Sequence, residues 1–132
     1  MKILDNSHYV SILNNVGQLT ELHLEKYNQN FITLIFTTPA RQEIVLTIND
    51  PTLFSFTRSF GDEGTYVVYE FCTKKIFNTD YSILSELNYG VCDKDGKPFL
   101  GQKQAIWIHM EGDIILDIIC NNYSFTDGVI RK

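Results

Sequence analysis

The sequence predicts a β-rich α+β domain: a mostly antiparallel sheet of about eight strands in hairpin succession, with one or two short helices. The sheet curls into a half-barrel or packs as two layers. Three observations lead there. Apolar residues alternate with period two through most of the chain, and the gaps between these segments are short and rich in turn formers. Aromatic usage, nine Phe and seven Tyr against one Trp, favours strands. The clearest strands are also apolar on both faces: Ile114, Leu116, Ile118 and Cys120 point one way, and Ile115 and Ile119 the other, with Asp117 between them. Phe31–Phe36 repeats this, with Ile32, Leu34 and Phe36 opposite Phe31 and Ile35. Both faces of such strands need cover.

Taken in order, Tyr9, Ile12, Leu13 and Val16 stand at helical spacing, so a short helix is expected over residues 5–17, with Ser7 as cap and Gly17 as stop. Leu19–Tyr27 alternates, Asn28-Gln29-Asn30 turns the chain, and Phe31–Thr38 returns as the second strand of a hairpin. Pro39 ends that ladder. Glu43–Asn49 places Ile44, Leu46 and Ile48 on one face; Asp50-Pro51 turns into Leu53–Phe60, where Phe54, Phe56 and Phe60 are in phase. Gly61-Asp62-Glu63-Gly64 turns into the longest strand, Thr65–Lys75. A second helix fits Asn78–Asn88, capped by Thr79 or Asp80 and ended by Tyr89-Gly90. The loop Asp93–Pro98 precedes the strands Ala105–Met110 and Ile114–Cys120, which flank the tight connection Glu111-Gly112-Asp113. Residues 121–132 are polar and read as a loosely docked tail. At 132 residues, with no linker or repeat, the chain reads as one domain spanning 1–132.

Eleven basic against sixteen acidic residues leave a net charge of −5. That balance argues against nucleic acid or an anionic membrane as partner and favours a basic protein. The opening residues lack the apolar core of a signal peptide, and no apolar run approaches the roughly 18 residues of a membrane span. Cys72, Cys92 and Cys120 are odd in number and show no Cys-x-x-Cys spacing, so reduced thiols and a cytoplasmic location are expected.

Candidate chemistry is sparse, and neither a cofactor nor a metal is expected. Glu21, His23 and Glu25 share one strand face, with Leu22 and Leu24 turned inward. Strand positions two apart lie roughly 7 Å apart, too wide for one ion, so a wet sheet face is the simpler reading. Trp107, His109 and Glu111 form a second row in phase. Asp117 between isoleucines, and Glu70 between Val68 and Cys72, are carboxylates that need a cation, a ligand or an open face. With Trp107 and His109 they form the candidate ligand pocket. Asp93-Lys94-Asp95-Gly96 fails as a calcium loop, because Gln102 stands where the twelfth-position Glu is required. No phosphate loop and no Gly-x-Ser-x-Gly elbow occurs, so no catalytic residues are assigned and enzyme activity is not expected.

These features suit a non-catalytic acidic protein-binding domain. Immunity and antitoxin proteins, which neutralise a basic toxin or nuclease by covering it, have this physical profile. The candidate contacts are the acidic turns at Asp62, Glu63, Asp93, Asp95, Glu111 and Asp113, with carboxylates steering association. A small-molecule-binding, barrel-like domain with an apolar cavity is the alternative, and a homo-oligomer burying its spare apolar faces is a third reading.

Overall fold

A computed structural model describes residues 6–14, 20–28, 30–58, 66–87, 89–90, 94–97, 100 and 103–128. Among these described residues, two short helices, α1 (Asn6–Leu13) and α2 (Tyr81–Glu86), accompany eight strands: β1 (Thr20–Tyr27), β2 (Phe31–Thr37), β3 (Glu43–Asn49), β4 (Leu53–Arg58), β5 (Tyr66–Phe77), β6 (Gln104–Gly112), β7 (Ile114–Cys120) and β8 (Asn122–Asp127). All pair antiparallel in one sheet of order β4-β7-β6-β5-β1-β2-β3-β8. Hairpin order holds within β1-β2-β3 and within β5-β6-β7. Between these meanders the chain leaves it, because β4 pairs with β7 and β8 with β3.

The sheet is open at β4 and β8, yet its terminal ladders meet at one corner. Thr52 N–H donates to the Ile119 carbonyl at 2.7 Å, and Asn121 N–H to the Asn49 carbonyl at 3.1 Å. The β3–β8 ladder therefore runs directly into the β4–β7 ladder, and the sheet curls around its inner face. Local chemistry sets the turns that allow this. The Asn28 side-chain oxygen accepts from the backbone of Asn30 and Phe31, closing the β1–β2 turn. Arg41 and Asp50 take positive φ at the next two corners.

The inner face is the core predicted by the alternation. Ile32, Phe36, Ile44, Leu46, Ile48, Ile108, Met110 and Ile118 have no accessible surface. Burying a side chain of this size stabilises by about 1.5–3 kcal/mol. Helix α1 plugs the concavity with Tyr9 and Leu13, and Tyr9 stacks on Phe125 at 5.2 Å. Burial and the neighbouring Asp127 carboxylate, which accepts the Tyr9 hydroxyl, hold the phenol above its ordinary pKa. The Asn14 side chain pins α1 to β5, accepting from Phe71 N–H at 2.7 Å and donating to the Phe71 carbonyl at 2.8 Å. It does so beside the bulge between Val68 and Glu70, next to the stretch of β5 that pairs with β1.

Four expectations change. The loose tail from residue 121 gives way to β8: Tyr123 and Phe125 alternate with polar residues, Phe125 is buried, and the β3 edge supplies the hydrogen bonds. Leu24 does share the inner face with Leu22, opposite the buried Leu34, but is 52% exposed rather than covered, because the β1–β5 ladder stops at Leu22 and a register shift follows Leu24. Ser7 lies within α1 rather than capping it, and α2 has no side-chain cap: Asp80 instead accepts from Phe77 N–H at 2.8 Å, closing the turn before the helix. Gly17, Phe60 and the turn 61–64 lie outside the described residues.

The outer face is covered in part. Helix α2 with Tyr89 and Leu100 buries Ile76, Ala105 and Ile119, and Leu53 and Trp107 pack at the margin. Beyond that cap the outer face carries charge, and Ile115 is 46% exposed.

Candidate functional site

The register decides which outer-face residues meet. Cys72 on β5 stands opposite His109 on β6, which stands opposite Asp117 on β7, which stands opposite Ser55 on β4. One row toward α2 lie Lys74, Trp107, Ile119 and Leu53; one row away lie Glu70, Glu111, Ile115 and Thr57. The candidate pocket residues Glu70, Trp107, His109 and Asp117 thus share one patch of one sheet face, with Glu111 beside them.

Within it runs a continuous chain of hydrogen bonds. Trp107 Nε1–H donates to Asp117 Oδ1 at 2.8 Å, and His109 Nδ1 lies 2.6 Å from the same oxygen. His109 Nε2 lies 2.9 Å from Glu111 Oε1. With a carboxylate oxygen at each ring nitrogen, both nitrogens must donate, so the geometry calls for the imidazolium form. Burial pushes the His109 pKa down, but the hydrogen bonds and charges of Asp117 and Glu111 outweigh it and hold the group above its ordinary 6.5. The indole of Trp107 meets the imidazole edge-on at 5.9 Å, which restricts the ring further.

A Cys–His–Asp row invites comparison with nucleophilic catalysis, but the geometry does not deliver it. Both His109 nitrogens are taken by carboxylates, leaving none to draw the Cys72 proton. Burial first, and then Glu70, Asp117 and Glu111, push the Cys72 thiol above its ordinary value, which disfavours the thiolate. Burial drives Cys120 further, to about 12.

The remaining candidates are dispersed. Asp113 accepts from Val67 N–H at 3.2 Å and donates its own N–H to the Val67 carbonyl at 2.8 Å, tying the β6–β7 connection to β5. Asp95 is exposed in the turn before Gly96, whose φ is +80°. Asp62, Glu63 and Asp93 lie outside the described residues. Glu21, His23 and Glu25 do lie on the outer face, but Glu21 is 4.0 Å from His23 with both side chains about half exposed. His23, Glu25, Ile35, Thr37 and Glu43 line an open groove of about 350 Å³ across β1, β2 and β3. His23 and His109 do not converge, because β5 separates β1 from β6. Among the described residues no three His, Cys, Asp or Glu side chains are placed to hold a metal ion. Nor is any helix among them long and apolar enough to cross a membrane.

Cys72 and Ser55 are the members of the row that sequence reasoning missed. Cys72 was legible as in phase with Glu70; its place beside His109 follows only from the bulge-shifted β5–β6 register. The chain matches no protein-family model and no curated protein.

Proposed function

We propose that this is a non-catalytic acidic protein-binding domain, of the immunity or antitoxin kind, that neutralises a basic protein in the cytoplasm by covering it. The observation that carries the reading is the outer face of β5, β6 and β7. There Glu70 and Glu111 stand directly opposite each other, Asp117 lies one row away, and the exposed Ile115 borders them. Like charges facing across a ladder weaken a sheet. A cationic partner would relieve that repulsion, and Ile115 offers an apolar anchor. The net charge of −5 adds long-range attraction. Asp95 and Glu111 remain among the contacts proposed, together with Glu70.

Partner capture from native cells, followed by titration of the purified pair at low and high salt, tests the reading. Binding to a basic protein should weaken with salt and weaken further in a Glu70→Lys/Asp95→Lys variant. Association indifferent to both would overturn it. The ligand-binding alternative has one supporting observation, the groove lined by His23, Glu25 and Glu43, which suits a small cationic molecule rather than an apolar one.

A further inference from the structure

We propose that His109 is a proton-operated latch across β6 and β7: its neutral form keeps the proton on Nδ1, held by Asp117, and lets Glu111 go. The inference deepens the reading of this face as a binding surface, although the latch itself needs no partner to operate.

The two arms of the imidazolium are unequal. Asp117 is the more enclosed carboxylate, with its side chain 14% exposed against 43% for Glu111, and its contact is the shorter, 2.6 Å against 2.9 Å. Asp117 is also held from behind by the Trp107 indole N–H. Glu111, nearer to water, loses less by parting from the ring. When the imidazolium gives up one proton, that proton therefore leaves Nε2, and the exposed lone pair then faces the Glu111 carboxylate. Repulsion drives Glu111 outward, and Glu70, directly opposite on β5, prevents it from settling toward that strand.

The surrounding groups do not take over the titration. From β5, the groups facing His109 and its rows are Glu70, Cys72 and Lys74; from β6, Glu111; from β7, Asp117; and β4 contributes the uncharged Ser55 and Thr57. Burial and the three acids raise the Cys72 pKa rather than lower it toward the ordinary imidazole range. Of the group Glu70, Glu111, Asp117 and His109, His109 is the cation, so its deprotonation leaves three carboxylates on this face with Glu111 newly mobile. Raising the pH through the His109 transition should thus favour a cationic partner.

Nitrogen-15 NMR of the imidazole and indole signals, from about pH 5 to about pH 10, tests this on the free protein. The expected result is a His109 midpoint above 6.5 and a neutral form protonated on Nδ1, with the Trp107 N–H signal nearly unmoved through the transition. Glu111→Gln should lower the midpoint and keep the Nδ1–H form. Asp117→Asn should lower the midpoint, abolish that preference and shift the Trp107 signal. Protonation of neutral His109 on Nε2 in the wild type, or a midpoint unmoved by Glu111→Gln, overturns the latch even where Asp117→Asn does not fold. A second measurement separates it from the binding reading. A latch that passes by NMR, with partner affinity that does not rise as the pH crosses the His109 transition, leaves the latch standing and removes its link to binding.

Discussion

His23 and His109 sit in nearly the same sequence setting and meet different fates. Each lies on a strand, on the outer face, with a glutamate two residues away. His23 remains half exposed, 4.0 Å from Glu21, beside Ile35 on the next strand. His109 is 20% exposed and wedged between two carboxylates, because its cross-strand neighbour is Asp117. The residue two along its own strand gives each histidine one carboxylate neighbour, but only for His109 does the adjacent strand add a second.

If the neighbouring strand makes the difference, disturbing the register should have the largest effect. Gly112 ends β6 where a Cβ would lie 2.0 Å from the Val67 carbonyl oxygen. Gly112→Ala must push β6 from β5 and should cost about 3 kcal/mol or more, read as a lowered urea midpoint. The His109 environment should be lost with it, while the His23 signals stay in place.

Removing the partner itself comes next. Asp117→Ala leaves the Trp107 indole N–H and one His109 nitrogen without their acceptor and should cost about 2 kcal/mol near neutral pH. The wild type should show a pH dependence that this variant keeps only in part, because Glu111 still raises the His109 pKa. Because the folded His109 pKa is raised above its ordinary 6.5, its stabilisation is fully present below that value and is lost as the pH rises through the folded pKa. Denaturation series on either side of the transition check both the size and the sign.

The acids around His109 should also be felt by Cys72. In a Cys92→Ser background, iodoacetamide should modify Cys72 more slowly than an unperturbed exposed thiol, since burial and three carboxylates hold its pKa up. Glu70→Gln should speed the reaction. Cys120, buried and pushed up to about 12, should stay unmodified until the protein unfolds.

The smallest effect belongs to the other histidine. His23→Ala should change stability by less than about 0.5 kcal/mol and leave its pH dependence intact. A larger loss would mean that the β1–β3 face carries a site as well.

Much of the fold was legible because period-two burial is written locally. Alternation alone groups Ile32, Leu34 and Phe36, and Ile114, Leu116 and Ile118, each set on one face; which face is the inner one was not legible, because Phe31, Ile35, Ile115 and Ile119 make the opposite face apolar too. Strand β8 was not legible: Tyr123 and Phe125 are only two apolar positions among polar ones, and what makes a strand of them is the open edge of β3 and the stacking of Tyr9 on Phe125. The departure from hairpin order at β4 was equally hidden, because nothing in Leu53–Arg58 states that its partner is Ile114–Ile119, more than fifty residues on.

The candidate site divides the same way. Alternation put Trp107, His109 and Glu111 in one row and Asp117 on the face of Ile115 and Ile119; these are consequences of strand geometry acting on neighbouring residues. That His109 meets Asp117 on one side and Cys72 on the other depends on the tight connection at Asp113 and a bulge in β5, which set the register of β7 and β5 against β6. Side-chain direction is a property of the local backbone, whereas electrostatic company is a property of which strands lie side by side, and only folding brings those strands together.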